Sequence, residues 1–91
     1  MTPEQQMEVL AFNLEKSIME ACVIFGNEAM KLGQRDQAIA GMGQAFAIAE
    51  SMTLSGRCDC TSGMMIAAEE LERDGIAAEV FARAAKLREA C

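Results

Sequence analysis

The chain has 91 residues, of which 52% are apolar and only 4% aromatic, and its formal net charge is −6. This length suits one compact domain and is too short for two independent cores, so we expect a single domain over residues 1–91. Nucleic-acid binding needs clustered basic side chains, whereas here 8 Lys and Arg are dispersed among 14 Asp and Glu. The composition therefore excludes a nucleic-acid partner from the expected functions.

The sequence shows no targeting or membrane-spanning segment. Residues 1–6 lack the basic and apolar regions of a secretory signal, and no apolar run approaches the roughly 20 residues that a membrane span requires. We therefore expect a cytoplasmic protein without membrane contact, whose 4 cysteines stay reduced thiols.

The apolar content is high for so short a chain. A small domain has a high ratio of surface to volume, so it cannot bury all of its apolar side chains. Some apolar surface is therefore expected to remain for a protein partner or a second copy. We expect a homodimer or a stable heterocomplex.

The first predicted helix begins at a cap and carries a long apolar face. Thr2 as the N-cap, Pro3 at the first helical position and Gln5 three residues after the cap form a capping box. Gly33 is expected to end the helix. Because Gly26 lies within this segment, two alternatives remain: one long helix, or two helices with a bend near Gly26. The apolar residues recur at steps of three or four, which predicts that this face packs inward. They are Met7, Ala11, Leu14, Ile18, Cys22, Phe25, Ala29 and Leu32.

The second predicted helix opens at Asp36 and contains two internal glycines, Gly41 and Gly43. Each glycine costs a helix about 1 kcal/mol relative to alanine, so their presence predicts a close approach of neighbouring helices. The expected inner face comprises Ala38, Met42, Ala45, either Ile48 or Ala49, and Met52.

The second half of the chain predicts two more helices after a break at residues 53–61. Asp59, Thr61 or Ser62 is expected to cap a third helix, and Asp74-Gly75 is a turn signal before a fourth. The expected apolar positions are Met64, Met65, Ala68 and Leu71 in the third helix, and Ala77, Val80, Phe81, Ala84, Ala85 and Leu87 in the fourth. The fold class is therefore all-α, with four to five helices in antiparallel hairpins.

Small residues over residues 19–52 are spaced as in a known helical hairpin. The series is Cys22, Phe25, Gly26, Ala29, Gly33, Ala38, Met42 and Ala45. It resembles the tetratricopeptide-type hairpin, and a weaker copy over residues 58–91 repeats its A-x3-F-x2-A step at Ala77, Phe81 and Ala84. The second copy departs at Met65, where a small residue is expected, and neither copy has the family's aromatics or terminal proline. The resemblance implies stacked hairpins that hold another protein, while a plain helical bundle is an equal alternative.

Catalytic residue types are scarce in this sequence. The chain has no His, which removes the commonest general base, and it has no Trp or Tyr. It contains no nucleophile elbow and no phosphate-binding glycine loop. Carboxylate pairs such as Glu69 with Glu72 are typical of a solvated helix face. We expect a protein that is not an enzyme and needs no cofactor.

The segment Cys58-Asp59-Cys60 offers an alternative function. Two thiolates could bind Cu(I) or Zn(II) if Cys22 or Cys91 completed the ligand set, or they could act as a redox-sensing pair. The simpler interpretation is that Cys58 and Cys60 pack the loop onto the helices. We expect no bound metal.

The third helix carries the predicted partner-binding residues. Adjacent Met64 and Met65 cannot both point inward, so one of them should be exposed near Ile66. Flexible methionine surfaces suit protein binding, and acidic neighbours, Glu69 and Glu70, would select a partner with a basic rim. We predict an adaptor, chaperone or inhibitor of a larger protein assembly that docks through helix faces. An acidic mimic of nucleic acid is disfavoured because the acidic residues are spread over both halves of the chain.

Overall fold

The computed structural model describes residues 1–90 and contains four α-helices. They are α1 (Pro3–Lys31), α2 (Arg35–Leu54), α3 (Thr61–Asp74) and α4 (Ala77–Glu89). About 84% of the chain is helical, and residues 1–90 contain no strand. The prediction of an all-α fold is therefore confirmed, with four helices rather than five. None of these helices is both long and apolar enough to cross a membrane.

Both ends of α1 follow the predicted capping pattern. The Thr2 hydroxyl accepts the amide of Gln5 at 3.2 Å, and the Gln5 side chain accepts the amide of Thr2 at 2.9 Å. After the helix, Gly33 adopts a φ of +71°, which glycine reaches without strain. The Gln34 amide then donates to the carbonyl of Ala29 at 2.8 Å, closing a Schellman motif. Between these caps α1 is one continuous 29-residue helix, so the alternative of two helices bent at Gly26 is wrong.

Helix α2 is the central element of the fold. α1 packs antiparallel to α2 on one side, and α4 packs parallel to it on the other. An ion pair between Arg35 and Glu79, with its atoms 3.0 Å apart, joins the starts of α2 and α4. Hydrogen bonding from Arg35 holds the pKa of Glu79 below its ordinary value. α3 runs back between the end of α2 and the start of α4. α2 begins at Arg35, one residue before the predicted Asp36, which instead lies in its first turn.

Glycines set the close approach of these helices, as predicted. A Cβ atom on Gly41 would lie 2.7 Å from the Phe25 ring and 3.2 Å from the backbone carbonyl oxygen of Cys22. A Cβ atom on Gly43 would lie 2.6 Å from Cγ of Arg83 on α4. Both distances are below van der Waals contact, so α2 admits α1 at Gly41 and α4 at Gly43 because no side chain intervenes.

The core surrounds α2 and is made largely of small residues. Met52, Ile76 and Val80 are its largest fully buried side chains. Of the two alternatives on α2, Ala49 is buried whereas Ile48 is only half-buried. The other buried apolar residues are Ala29, Ala38, Met42, Ala45, Phe46, Ala47, Leu71 and Ala84. Because an alanine buries little area, many of the larger apolar side chains lie outside this core and stay exposed.

The predicted inward face of α1 is wrong over most of its length. Only Ala29 is buried and Cys22 half-buried, while Leu14 is 62% and Leu32 73% exposed. The face that packs on α2 centres on Gly26, so it lies to one side of the predicted stripe. In addition, α1 is nine residues longer than α2 (29 against 20), and its first turns extend beyond it.

Three predictions for α3 and α4 also need correction. The N-cap of α3 is Cys60, whose side chain caps no amide. Asp59 lies one residue earlier, and its carboxylate accepts the Thr61 amide at 3.1 Å. On α4, Phe81 is only partly covered, 38% exposed with its ring packed edge-to-face on Phe46 of α2, and Ala85 is exposed, because the side facing α2 centres on Val80 and Ala84. The predicted turn at Gly75 is confirmed by a φ of +76°.

Candidate docking surfaces

An open apolar groove of about 610 Å³ lies between α1 and α3. The backbones of these two helices do not approach each other, so the surface of α2 between them forms the floor. The residues that line the groove are Met19, Glu20, Val23, Ile24, Met42, Ala45, Phe46, Ala49, Cys58, Asp59, Cys60, Gly63, Met64 and Ala67. We call this surface the α1–α3 groove.

Small residues leave space in the floor and the α3 wall of the groove, between the larger Met42, Phe46 and Met64. Ala45 and Ala49 line the floor one helical turn apart, and Gly63 and Ala67 do the same along α3. A Cβ atom on Gly63 would have nothing within 4 Å, so the space beside it is open. The groove is therefore wide and apolar, which suits an incoming helix face.

The charges that line the α1–α3 groove are both acidic. Glu20 stands on the α1 wall and Asp59 at the loop end, and the lining contains no Lys or Arg. Hydrogen bonds from the Thr61 side chain and backbone lower the pKa of Asp59, so this carboxylate is ionised at neutral pH. The groove therefore favours a ligand with basic groups at its edge.

The predicted partner-binding residues do not form one surface. Met64 is half-buried against the core and lines both the α1–α3 groove and a smaller groove of about 440 Å³ beside Phe81. Met65 is 63% exposed and lines only the smaller groove. This confirms that the two methionines do not both point inward. The remaining three, Ile66, Glu69 and Glu70, are exposed and line neither groove.

A contact that the sequence does not predict anchors the free end of α1. Arg57, in the loop after α2, forms an ion pair with Glu15 of α1. The same guanidinium donates from Nε to the hydroxyl of Ser55 at 2.7 Å. Glu15 and Arg57 are 42 residues apart, so no local pattern identifies this pair. Beyond it, Met7 and Leu10 of α1 are 63% and 59% exposed.

The Cys58-Asp59-Cys60 segment lies at one end of the α1–α3 groove. The sulfur atoms of Cys58 and Cys60 are 3.4 Å apart, and both residues are half-buried. The Thr53 hydroxyl accepts the Cys60 amide at 3.2 Å, which fixes the loop on the end of α2. The hydrogen bond with Cys60 and, to a smaller extent, desolvation raise the pKa of the Cys58 thiol. This thiol is therefore protonated at neutral pH.

The described residues include no group of three or more His, Cys, Asp or Glu side chains placed to hold a metal ion. Cys22 is half-buried on α1, where burial raises the pKa of its thiol. Cys91, the other sulfur that the sequence offers as a ligand, lies outside the described residues. Two sulfur ligands are too few for a structural Zn(II) site, which takes four ligands.

Replacing both Cys58 and Cys60 by serine is expected to cost less than about 1 kcal/mol of unfolding free energy, since the loop offers water to the new hydroxyls. Urea denaturation checks this change, and elemental analysis of protein purified without chelator should find no stoichiometric copper or zinc. A metal ion bound at one per chain, lost together with stability in the double variant, would instead make this loop a metal centre.

Comparison of the chain with protein-family models, with curated proteins and with solved structures finds no match. The tetratricopeptide resemblance of residues 19–52 therefore stays a prediction.

Proposed function

We propose that this protein is a small acidic protein–protein interaction module of the cytoplasm, acting as an adaptor, chaperone or inhibitor of a larger assembly. The observation that carries the proposal is the α1–α3 groove, which is open, apolar and floored by a helix. Grooves of this kind bind the apolar face of an amphipathic helix. The chain has no His and no predicted catalytic motif, so the proposal includes no enzymatic activity.

The proposed ligand is an amphipathic helix with basic residues along its edges. Small floor residues such as Ala45 and Ala49 leave space for large side chains from such a helix, which would supply most of the binding energy. Glu20 and Asp59 would contact the basic edges. Charge at the edge of an interface mainly affects the association rate and partner choice, so these two residues would select the ligand rather than hold it.

A second candidate function is redox sensing by Cys58 and Cys60. It is favoured by the 3.4 Å separation of their sulfur atoms at the end of the groove. Reaction with a small-molecule disulfide would form one bond between the two sulfurs and release two reduced thiols, which balances electrons and protons. The raised pKa of Cys58 disfavours its thiolate, so docking remains the better-supported function.

Groove binding can be tested at Gly63, where added atoms meet open space. The probe is a peptide of about 14 residues, the length of α3, with leucines on one helical face and lysines along both edges. We expect it to bind the wild-type protein, and Gly63→Gln to weaken binding at least about tenfold by filling the groove. Fluorescence anisotropy of the labelled peptide measures both affinities.

Two controls separate blocking from general damage. Gly63→Ala adds only a methyl group and is expected to leave the affinity within about twofold of the wild type. A peptide of the same composition with its leucines scrambled has no apolar face and should bind weakly to every variant. Equal binding of the ordered peptide to wild type and Gly63→Gln would contradict the proposed groove.

A further inference from the structure

Helix α1 carries a second apolar face, which the described residues of the chain leave largely exposed. It follows positions 7, 11, 14, 18, 21, 25, 28 and 32, a spacing that alternates between four and three residues, and every one of these positions is exposed. An alternation of this kind is the heptad pattern by which one helix packs lengthwise against another. Seven of the eight positions are apolar, with Glu28 the exception. We call this surface the α1 seam.

We propose that the α1 seam binds the α1 seam of a second copy of this chain, with the two helices antiparallel. The register that fits pairs residue n with residue 39 − n of the other copy, so that each seam position meets another seam position. Leu14 then meets the partner's Phe25, and Ile18 meets the partner's Ala21. A large side chain faces a smaller one at the centre, which allows the two helices to interlock.

The only charged residue in the seam decides between the two possible orientations. In a parallel pair Glu28 would face the partner's Glu28, and the two carboxylates would repel each other. In the antiparallel pair Glu28 faces the partner's Ala11, a small residue at the exposed end of the helix. Its carboxylate also accepts a hydrogen bond from Lys31 of its own chain at 3.1 Å. The antiparallel orientation therefore avoids the one unfavourable contact.

The seam is long enough for a specific interface. Helix α1 has 29 residues, and at 1.5 Å per residue it is about 43 Å long. A contact strip about 40 Å by about 12 Å, the width of a helix with its side chains, covers on the order of 500 Å² on each chain. The pair then buries on the order of 1,000 Å², the size at which a specific protein interface begins.

The same pairing also covers an exposed apolar residue beside the seam. Leu10 is 59% exposed and lies on one edge of the seam, facing the other copy in the proposed register. Val9, which is 45% exposed, lies on the opposite side of α1 and stays outside the interface. Val9 therefore serves as a matched control.

Self-association through the seam does not compete with groove binding. Helix α2 packs on the side of α1 that carries Gly26, about 100° around the helix from Phe25 in the seam. Of the α1 residues that line the α1–α3 groove, Ile24 lies nearest to the seam, and it is still about 100° around the helix from Phe25. The inference therefore stands independently of the proposed function, and either one can fail without the other.

Sedimentation equilibrium of the full chain tests the pairing. We expect a dimer at micromolar concentration, and Leu14→Glu to raise its dissociation constant at least about 100-fold, because each dimer would bury two unpaired carboxylates. Leu14 is 62% exposed in the single chain, so this variant is expected to stay folded by circular dichroism. Val9→Glu should leave the dissociation constant within about threefold of the wild type.

The orientation is tested at Ala11 by reversing a charge. In the antiparallel pair, Ala11→Lys faces the partner's Glu28 and attracts it, whereas Ala11→Glu repels it. The lysine variant should therefore dimerise at least about tenfold more tightly than the glutamate variant, and Glu28→Gln should remove the difference. A parallel pair would instead weaken equally with either charge.

Three results would overturn the inference. The first is a wild-type protein that stays monomeric at about 100 µM, well above typical working concentrations. The second is a dimer unaffected by Leu14→Glu or weakened equally by Val9→Glu, which places the interface elsewhere. The third is equal dimerisation of the two Ala11 variants, which excludes the antiparallel register.

Discussion

Replacing Gly41 by alanine is expected to lower the unfolding free energy by about 1–3 kcal/mol, even though alanine is the better helix former. The added methyl group would lie 2.7 Å from the Phe25 ring and 3.2 Å from two backbone atoms of α1. A ring can rotate, but the Cys22 carbonyl oxygen and the Gly26 amide nitrogen are fixed in the helix. The α1 and α2 axes must therefore separate, which loosens the contacts on both sides of Gly41.

Gly63→Ala is the matched control for this prediction. Gly63 is also helical, but its added methyl group meets nothing within 4 Å, so the change should raise the unfolding free energy by up to about 1 kcal/mol. Urea denaturation followed by circular dichroism measures both variants. If the two alanine variants were equally stable, α1 and α2 would not be in close contact at Gly41.

Replacing Ile76 by alanine is expected to lower the unfolding free energy by about 2–4 kcal/mol. Ile76 is fully buried, and it stands between α3 and α4, where its amide donates to the Leu71 carbonyl at 3.1 Å. The loss of its branched side chain would leave a cavity beneath the α3–α4 turn, next to Val80. Because half of the buried apolar residues are alanines, few large neighbouring side chains can move in to fill that cavity.

Ile66→Ala supplies the control with the same chemical change. Ile66 is 60% exposed on α3, so its truncation should alter the unfolding free energy by no more than about 0.5 kcal/mol. The difference in unfolding free energy between the two isoleucine variants measures how much the burial of Ile76 contributes to stability. A small effect at both positions would show that the α3–α4 hairpin does not pack on α2 as described.

Local features of the fold were predictable from the sequence because their causes lie within a few residues. The Thr2 capping box, the Gly33 terminator and the Asp74-Gly75 turn each depend on one short segment, and all three are confirmed. The role of Gly41 in close packing was also predictable, since a glycine that weakens a helix indicates a compensating contact.

The packing face of α1 was not predictable in the same way. This helix carries an exposed seam through Leu14 and Phe25 beside a face centred on Gly26 that packs on α2. Apolar periodicity merges two adjacent faces into one stripe, and it cannot show which face a neighbouring helix covers. The Arg57–Glu15 pair was missed for a related reason, because it joins residues that only the tertiary fold brings together.

The candidate site was predicted only in part. Met64 lines the α1–α3 groove, but the adjacent Met65 lies outside it and lines only the smaller groove beside Phe81, since successive residues differ by about 100° around a helix. The opposite wall of the groove comes from Met19 and Val23 on α1. No sequence pattern connects α1 with α3, so the groove itself becomes visible only in the structure.

Amide chemical shifts of the ¹⁵N-labelled protein, followed during titration with the basic amphipathic peptide, test the central claim most directly. We expect saturable shifts at amides around the groove, such as Val23, Ala45 and Ala67, and none at Leu14 in the α1 seam. The shifts should be absent with the scrambled peptide and reduced in Gly63→Gln. Shifts confined to other surfaces, or no saturable binding of the ordered peptide, would contradict a docking function for the α1–α3 groove.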